Sequence, residues 1–139
     1  MVLSEQQQRH RMIERAVLRR SNTPAETSVL LWESLAAELM LIIGERGFDS
    51  LYARSLHRAS TGFPWLAIAP PRVPREAFSA LAASLNARAP TEALAASAAF
   101  LKVFTDTLIL LIGELLTNSL LRKAWGDAVV NDAGTEHRP

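Results

Sequence analysis

The chain has 139 residues, 49% of them hydrophobic, and its 15 basic and 14 acidic residues leave a formal net charge of +1. A chain of this length fits one domain and buries roughly two thirds of its unfolded surface, so its core needs no covalent crosslinks. The balanced charge gives no overall field to attract nucleic acid or an anionic membrane, and the absence of cysteine excludes disulfides, thiolate zinc sites and thiol nucleophiles.

The first predicted helix runs from about residue 5 to residue 20 and is basic. Ser4 and Gln7 have the spacing of a capping box, which predicts the start of this helix. Its arginines lack interleaved aromatic residues and are too few for a phosphate-binding face, so nucleic acid is not an expected partner. We interpret the helix as a docking or dimer arm, with three arginines as candidate partner-binding residues: Arg11, Arg15 and Arg19.

A long helix is predicted from Thr23 to about Arg46. Thr23 is a good capping residue, Pro24 suits the first helical position and Glu26 completes a second capping box. Apolar residues then recur at helical spacing, and Gly47 is the predicted stop. The recurring residues are Leu31, Leu35, Leu39 and Ile42. A short helix to about His57 is expected to follow.

Residues 60–74 are rich in proline and predict an extended crossover in place of a helix. Phe63, Trp65 and Leu66 form the largest apolar patch outside the predicted helices. They are expected to fold back onto the core, with a partner-binding anchor as the functional alternative, because aromatic residues dominate binding hot spots.

The second half repeats the order of short helix, long helix and short helix. A helix is predicted from about Arg75 to Arg88, and a long helix is predicted to start at Thr91. Because Leu115 and Leu116 replace the earlier Arg-Gly pair, the long helix is expected to run on to Trp125. Residues 127–139 are polar and predict a disordered tail.

The two halves resemble each other at an offset of 69 positions. Residues 41–56 and 110–125 are identical at six of sixteen positions, including Gly44 with Gly113 and Glu45 with Glu114. The sequence therefore predicts an all-α, single-domain bundle of five to six helices in residues 1–126, built from two pseudo-twofold-related repeats, about 5–57 and 75–126.

The repeated segment also suggests where the long helices meet. Residues 39–43 and 108–112 contain no polar side chain, so both segments are expected at the centre of the bundle. A glycine within a helix costs about 1 kcal/mol relative to alanine. We therefore expect Gly44 and Gly113 where two backbones approach closely.

Two arrangements of residues suggest specific chemistry. Glu45 and Glu114 hold matching positions and would form an acid/base or metal-binding pair if brought together, but no histidine ligands accompany them. We expect Glu45 to be solvated or paired with Arg54, and Glu114 to pair with Lys123. His57 invites comparison with phosphotransfer domains, in which lysine and glycine usually follow the histidine at the third and fourth positions. These positions are Ser60 and Thr61 here, so a surface histidine is the expected meaning.

The functional expectation is a non-enzymatic protein-interaction or regulatory module of a bacterial signalling pathway, forming a homodimer or binding another protein. No phosphate loop, nucleophile elbow or metalloprotease motif is found, so no catalytic residue, metal or cofactor is predicted. The first alternative is a sensor of a small apolar ligand, with a pocket between the long helices, and the second is a histidine phosphotransfer protein using His57. The pocket residues would be Trp32, Leu39, Phe100 and Phe104.

The expected location is the cytoplasm. The first eight residues lack the apolar core of a signal peptide. The most apolar stretch, residues 100–121, is interrupted by Lys102, Asp106 and Glu114, so no transmembrane segment is predicted.

Overall fold

Helices account for all regular structure in the part of the chain that the structure describes. The computed structural model describes residues 4–18, 23–66 and 74–137, except the side chains of 74–77 and 127–137. These residues contain five α-helices, one 3₁₀ helix and no strand, which confirms the predicted all-α bundle. In chain order they are α1 (Glu5–Val17), α2 (Pro24–Ala59), η1 (Pro64–Leu66), α3 (Pro74–Asn86), α4 (Pro90–Ile112) and α5 (Glu114–His137).

The first two helices begin where their capping residues predict. The hydroxyl of Ser4 accepts a hydrogen bond from the backbone N–H of Gln7, and the hydroxyl of Thr23 accepts one from Glu26, each at 3.1 Å. Such a cap contributes about 1 kcal/mol to helix stability. The start predicted for the second long helix was wrong, because α4 begins at Pro90, before Thr91. Proline already has the backbone angle of a first helical residue.

Glycines make a sharp corner in each half of the chain. Gly44 has φ 79° and ψ 169°, and Gly113 has φ 90° and ψ 164°. A side chain strongly disfavours this backbone region, so glycine fits it best. Beyond the adjacent backbone, no heavy atom lies within 4 Å of the place where a Cβ would stand on either glycine. The expected close backbone approach is therefore wrong, and these glycines serve the corner conformation.

The corners correct two predicted helix ends. The first long helix breaks at Gly44, and Gly47 lies inside the helical segment that follows it. The second breaks at Gly113 and does not continue unbroken to Trp125. Apolar periodicity cannot reveal such a break, because the hydrophobic pattern continues on both sides of the corner.

The corner at Gly44 folds α2 back on itself. The rings of Trp32 and Tyr52 lie 4.9 Å apart, although twenty residues of straight helix would separate them by about 30 Å. α5 likewise returns along the first half of α2, because the indole N–H of Trp125 donates a hydrogen bond to the carbonyl oxygen of Leu31 at 2.9 Å. Each half therefore forms a helical hairpin that packs against the other.

The two long helices run side by side in the same direction. The hydroxyl of Ser97 donates to the hydroxyl of Ser28 at 3.0 Å, and the ring of Trp32 lies 4.5 Å from Phe100 and 4.8 Å from Phe104. These contacts advance towards higher residue numbers on both helices. Both corners therefore lie at the same end of the bundle.

α1 packs against α4 in the opposite direction, since Glu14 meets Lys102 and Gln6 meets Asp106. α3 packs against α2 through Phe78, whose ring lies 5.6 Å from that of Tyr52. The core between the helices is dominated by buried aromatic and leucine side chains. The largest that are fully enclosed are Trp32, Phe48, Phe100, Phe104, Ile13, Leu35, Leu39, Leu66, Leu85, Leu101, Leu108 and Leu121.

The predictions for the connecting and terminal segments are tested only in part. The crossover at 60–74 was predicted to be extended and without helix, which is wrong for Pro64–Leu66, where η1 forms; residues 67–73 lie outside the described part of the chain. The backbone of α5 covers residues 127–137 of the predicted tail, and residues 138 and 139 lie outside the described part.

Candidate functional site

Large apolar side chains stand in solvent around the two glycine corners. Leu41, Leu110 and Leu115 are 82%, 83% and 87% exposed. Three neighbouring side chains are exposed by roughly half: Ile42, Leu111 and Leu116. We call these six residues the apolar end of the bundle.

The positions of these six residues follow from the helix geometry. Leu41 and Ile42 form the last turn before Gly44, Leu110 and Leu111 form the last turn before Gly113, and Leu115 and Leu116 open α5 immediately after it. Since the two corners share one end of the bundle, all six residues lie near that end, and Leu41 and Leu110 lie about 200° round their helices from the buried Leu39 and Leu108. The prediction that the polar-free segments lie at the centre holds in part. Leu39 and Leu108 are fully buried, and Met40, Ile43 and Ile112 pack against the core while partly exposed.

The surroundings of the apolar end carry both signs of charge. Glu45 and Arg46 are exposed beside the first corner, and Glu114 is partly exposed beside the second. Single exposed leucines are normal in proteins, but six exposed aliphatic side chains near the two corners make this region a candidate interaction surface. Sequence periodicity marked these leucines as core, so it missed this surface.

A second candidate site is a polar cleft of about 240 Å³ between α1 and α5. Its lining residues are Glu5, Gln8, Arg9, Met12, Asn118 and Arg122. Arg9 is buried, and its guanidinium group donates to Asp106 and to Glu114 at 3.2 Å each. A hydrogen bond to the Glu114 carboxylate, followed by repulsion from its charge, raises the pKa of Glu5.

The cleft is better suited to holding helices together than to chemistry. The cationic group of Arg9 is already engaged by two carboxylates, and it joins α1 to α4 and to α5. Glu114 pairs with Arg9, and Lys123 pairs with Glu38 at 3.4 Å, so the predicted pair of Glu114 with Lys123 was wrong. Comparing equivalent positions of the two halves could not reveal these ion pairs, because each pair joins two different helices.

Comparison with family models, curated proteins and solved structures finds no match to this chain.

The apolar residues predicted as a partner anchor are largely turned towards the core. Leu66 is 1% exposed, and Phe63 and Trp65 are partly buried against the core. The guanidinium group of Arg88 lies 5.0 Å from the centre of a Trp65 ring, a cation–π contact that covers part of the indole. Partner binding at these three residues stays a prediction.

The other predicted surface residues are spread over the molecule. Arg11 and Arg15 are exposed on α1, while Arg19 lies outside the described residues. His57 is exposed in the last turn of α2, and the hydroxyl of Ser60 donates to its carbonyl oxygen. The structure does not unite them into one site.

The four predicted pocket residues are brought together. Trp32, Leu39, Phe100 and Phe104 are each fully buried, and the three aromatic rings pack against one another. The indole N–H of Trp32 and the hydroxyl of the neighbouring Tyr52 have no hydrogen-bond partner in the core. Burial raises the pKa of the Tyr52 hydroxyl.

No cluster of three or more potential metal-ligating side chains is found in the described part of the chain. Two described helices, α2 and α4, are long and apolar enough to cross a membrane by length and composition. Core helices of soluble proteins pass the same test, and α2 is bent at Gly44.

Proposed function

We propose that this chain is a non-enzymatic interaction module of a bacterial signalling pathway, acting in the cytoplasm through protein contacts at its apolar end. The observation that carries this proposal is the exposure of Leu41, Leu110 and Leu115 beside the two glycine corners. Exposed leucines lose contact with water when a partner covers them, at roughly 25 cal/mol for each Å² of apolar area buried.

Shape and charge around the apolar end also support a protein partner. Interfaces combine an apolar centre with a polar rim, and charged side chains are depleted only at the centre. The leucines provide the centre, while Glu45, Arg46 and Glu114 provide a rim of mixed charge. Nucleic acid and anionic lipid bind best to strongly basic surfaces, and these three residues include two carboxylates and only one guanidinium group.

Photo-crosslinking in cells of the source organism tests the proposal. A photoreactive amino acid replaces Leu41 or Leu110, and the control carries it at Leu30, a 49% exposed leucine away from the corners. Positions 41 and 110 are expected to give discrete protein crosslinks that position 30 does not give. Equal or absent crosslinking at all three positions would contradict an interaction surface at this end.

We also propose that the two halves are tandem repeats related by a pseudo-twofold axis. α1 and α3 are each 13 residues long and begin 69 positions apart, at Glu5 and Pro74. The two corner glycines have nearly the same φ and ψ at the same offset. Ser28 and Ser97, also 69 positions apart, hydrogen-bond to each other, as residues close to such an axis would.

Ligand sensing is a second candidate, favoured by the unpaired indole N–H of Trp32 and hydroxyl of Tyr52. Buried polar groups nearly always have partners, so two neighbouring groups without one make a reasonable site for a small molecule with a polar atom. Native mass spectrometry of the purified protein tests this candidate. A reproducible added mass that is lost on Tyr52→Phe would support sensing, whereas protein without added mass would count against a retained ligand.

Phosphotransfer through His57 has no further support from its surroundings. Support for phosphotransfer would require that His57→Gln folds normally but no longer accepts phosphate.

A further inference from the structure

The cleft between α1 and α5 is formed by one face of each helix. On α1 its lining residues have the spacing of a single helix face, and on α5 they lie one turn apart. They are Glu5, Gln8, Arg9 and Met12 on α1, and Asn118 and Arg122 on α5. The volume of about 240 Å³ lies below the range of roughly 300–1,000 Å³ that is typical of pockets for drug-sized ligands. The cleft therefore has room for a molecule about the size of a free amino acid.

The α1 wall of the cleft holds a carboxyl group that lacks a cation of its own. The guanidinium group of the buried Arg9 is already engaged by Asp106 and Glu114, at 3.2 Å each. The exposed Glu5 lies against the Glu114 carboxyl group, which raises the pKa of Glu5, and the charge of Arg9 offsets this only in part. Two adjacent carboxyl groups share a proton or attract a further cation, so this wall is suited to the ammonium group of a ligand.

The α5 wall presents a positive charge without a carboxylate partner. Arg122 is exposed, and it forms no ion pair with any residue that the structure describes. A guanidinium group binds a carboxylate through two parallel, charge-assisted hydrogen bonds. One turn earlier, the amide of Asn118 offers both a donor and an acceptor. This wall is therefore suited to the carboxylate of a ligand.

The two walls carry opposite charges that do not meet across the cleft, since Glu5 and Arg122 line it without forming an ion pair. A purely anionic ligand would meet the carboxyl groups of Glu5 and Glu114. A purely cationic ligand would meet the guanidinium groups of Arg9 and Arg122. A zwitterion complements both walls, and the partly buried Met12 gives the rest of the molecule an adaptable apolar contact.

We propose that this cleft binds a free amino acid, whose ammonium group contacts Glu5, whose carboxylate contacts Arg122 and whose side chain packs on Met12. This inference goes beyond the proposed interaction function and does not depend on it. The ligand joins α1 to α5, so the folded chain becomes more stable as the ligand concentration rises. An apolar side chain fits best, because a charged one brings a like charge close to one of the walls.

Isothermal titration calorimetry of the full chain tests this proposal with L-leucine, and with L-alanine as a smaller zwitterion. Two further probes each lack one charge of leucine: leucinamide has no carboxylate, and isocaproate has no ammonium group. Leucine is expected to bind and to raise the melting temperature as its concentration increases. Leucinamide and isocaproate should each bind at least about tenfold more weakly, because each loses one charge-assisted contact.

Variants remove the two contacts from the side of the protein. Arg122→Gln and Glu5→Gln replace exposed charges, so both should fold, and each should weaken leucine binding at least about tenfold. Arg122→Gln should leave the affinity for leucinamide unchanged, because that probe has no carboxylate to lose. The control Arg11→Gln removes an exposed guanidinium group of α1 that does not line the cleft, and it should leave leucine binding unchanged. Circular dichroism without ligand verifies that all three variants fold.

Three results would overturn the amino acid site. The first is the absence of binding by both leucine and alanine at millimolar concentration. The second is an affinity for isocaproate or leucinamide equal to that for leucine, because the cleft would then not recognise a zwitterion. The third is an Arg122→Gln protein that binds leucine as tightly as Arg11→Gln does, because the ligand would then lie elsewhere.

Discussion

Replacing the two corner glycines by alanine should destabilise the protein through backbone strain alone. At Gly44 and Gly113 an added methyl group meets no heavy atom within 4 Å beyond the adjacent backbone, so it causes no steric clash with another part of the fold. The remaining cost is that of holding a residue with a Cβ at φ near 80–90° and ψ near 165°. This cost is about 1–3 kcal/mol at each site.

The effect is measured by urea unfolding and by calorimetry of Gly44→Ala, Gly113→Ala and the double variant. Each single variant should lose about 1–3 kcal/mol of unfolding free energy, which corresponds to roughly 3–12 °C in melting temperature for a chain of this size. Since the two corners have the same conformation, the two losses should be similar, and the double variant should approach their sum.

Gly62→Ala is the matched control for these variants. Gly62 also has open space around its Cβ position, but its φ is not positive, so alanine should change stability by no more than about 0.5 kcal/mol. Two corner variants that are as stable as this control would refute the reasoning, because they would show that neither corner needs the glycine conformation.

Three further predictions concern polar contacts between helices. Ser28→Ala or Ser97→Ala alone should each cost about 1–3 kcal/mol in urea unfolding, since a buried hydroxyl loses its partner, and the double variant should cost less than the sum. Arg9→Met should lower the free energy of unfolding by about 1–3 kcal/mol, less than for a fully buried pair because its two carboxylate partners are about one third exposed. The ammonium group of Lys102 donates a hydrogen bond to Glu14 at 2.6 Å, and this bond and the positive charge of Lys102 lower the pKa of Glu14. The contact therefore stabilises the fold above the ordinary pKa of 4.5. The difference in unfolding free energy between the unaltered protein and Glu14→Gln should shrink as the pH falls below that value.

Each of these predictions has its own control and contrary outcome. Strictly additive losses for Ser28→Ala and Ser97→Ala would show that the hydroxyl pair contributes no coupling energy. Arg11→Met removes an exposed guanidinium group from α1 and should change the free energy of unfolding by no more than about 0.5 kcal/mol. If Arg9→Met lowered the free energy of unfolding no more than Arg11→Met does, the ion-pair explanation would be contradicted. A stability difference for Glu14→Gln that persists unchanged at low pH would exclude the charge of Glu14 as its source.

Local sequence determined the helices because their starts depend on near neighbours. Ser4 and Thr23 each cap a helix with a partner three residues away, so the two starts could be predicted from a few adjacent residues. The alternation of apolar and polar residues likewise predicted an all-helical bundle and placed Trp32 and Phe104 in its core.

Tertiary structure alone decided where the chain turns and which apolar residues stay in solvent. The hydrophobic pattern continues through Gly44 and Gly113, so only the three-dimensional arrangement reveals that the chain reverses there. Leu41 and Leu110 stay exposed although the buried Leu39 and Leu108 lie two positions before them, because a step of two residues turns a helix by about 200° and faces them away from the neighbouring long helix. Contacts between distant helices, such as that of Arg9 with Glu114, also depend on the tertiary arrangement. The residue type determines the charge of a side chain, but helix packing determines which opposite charge lies close enough to pair with it.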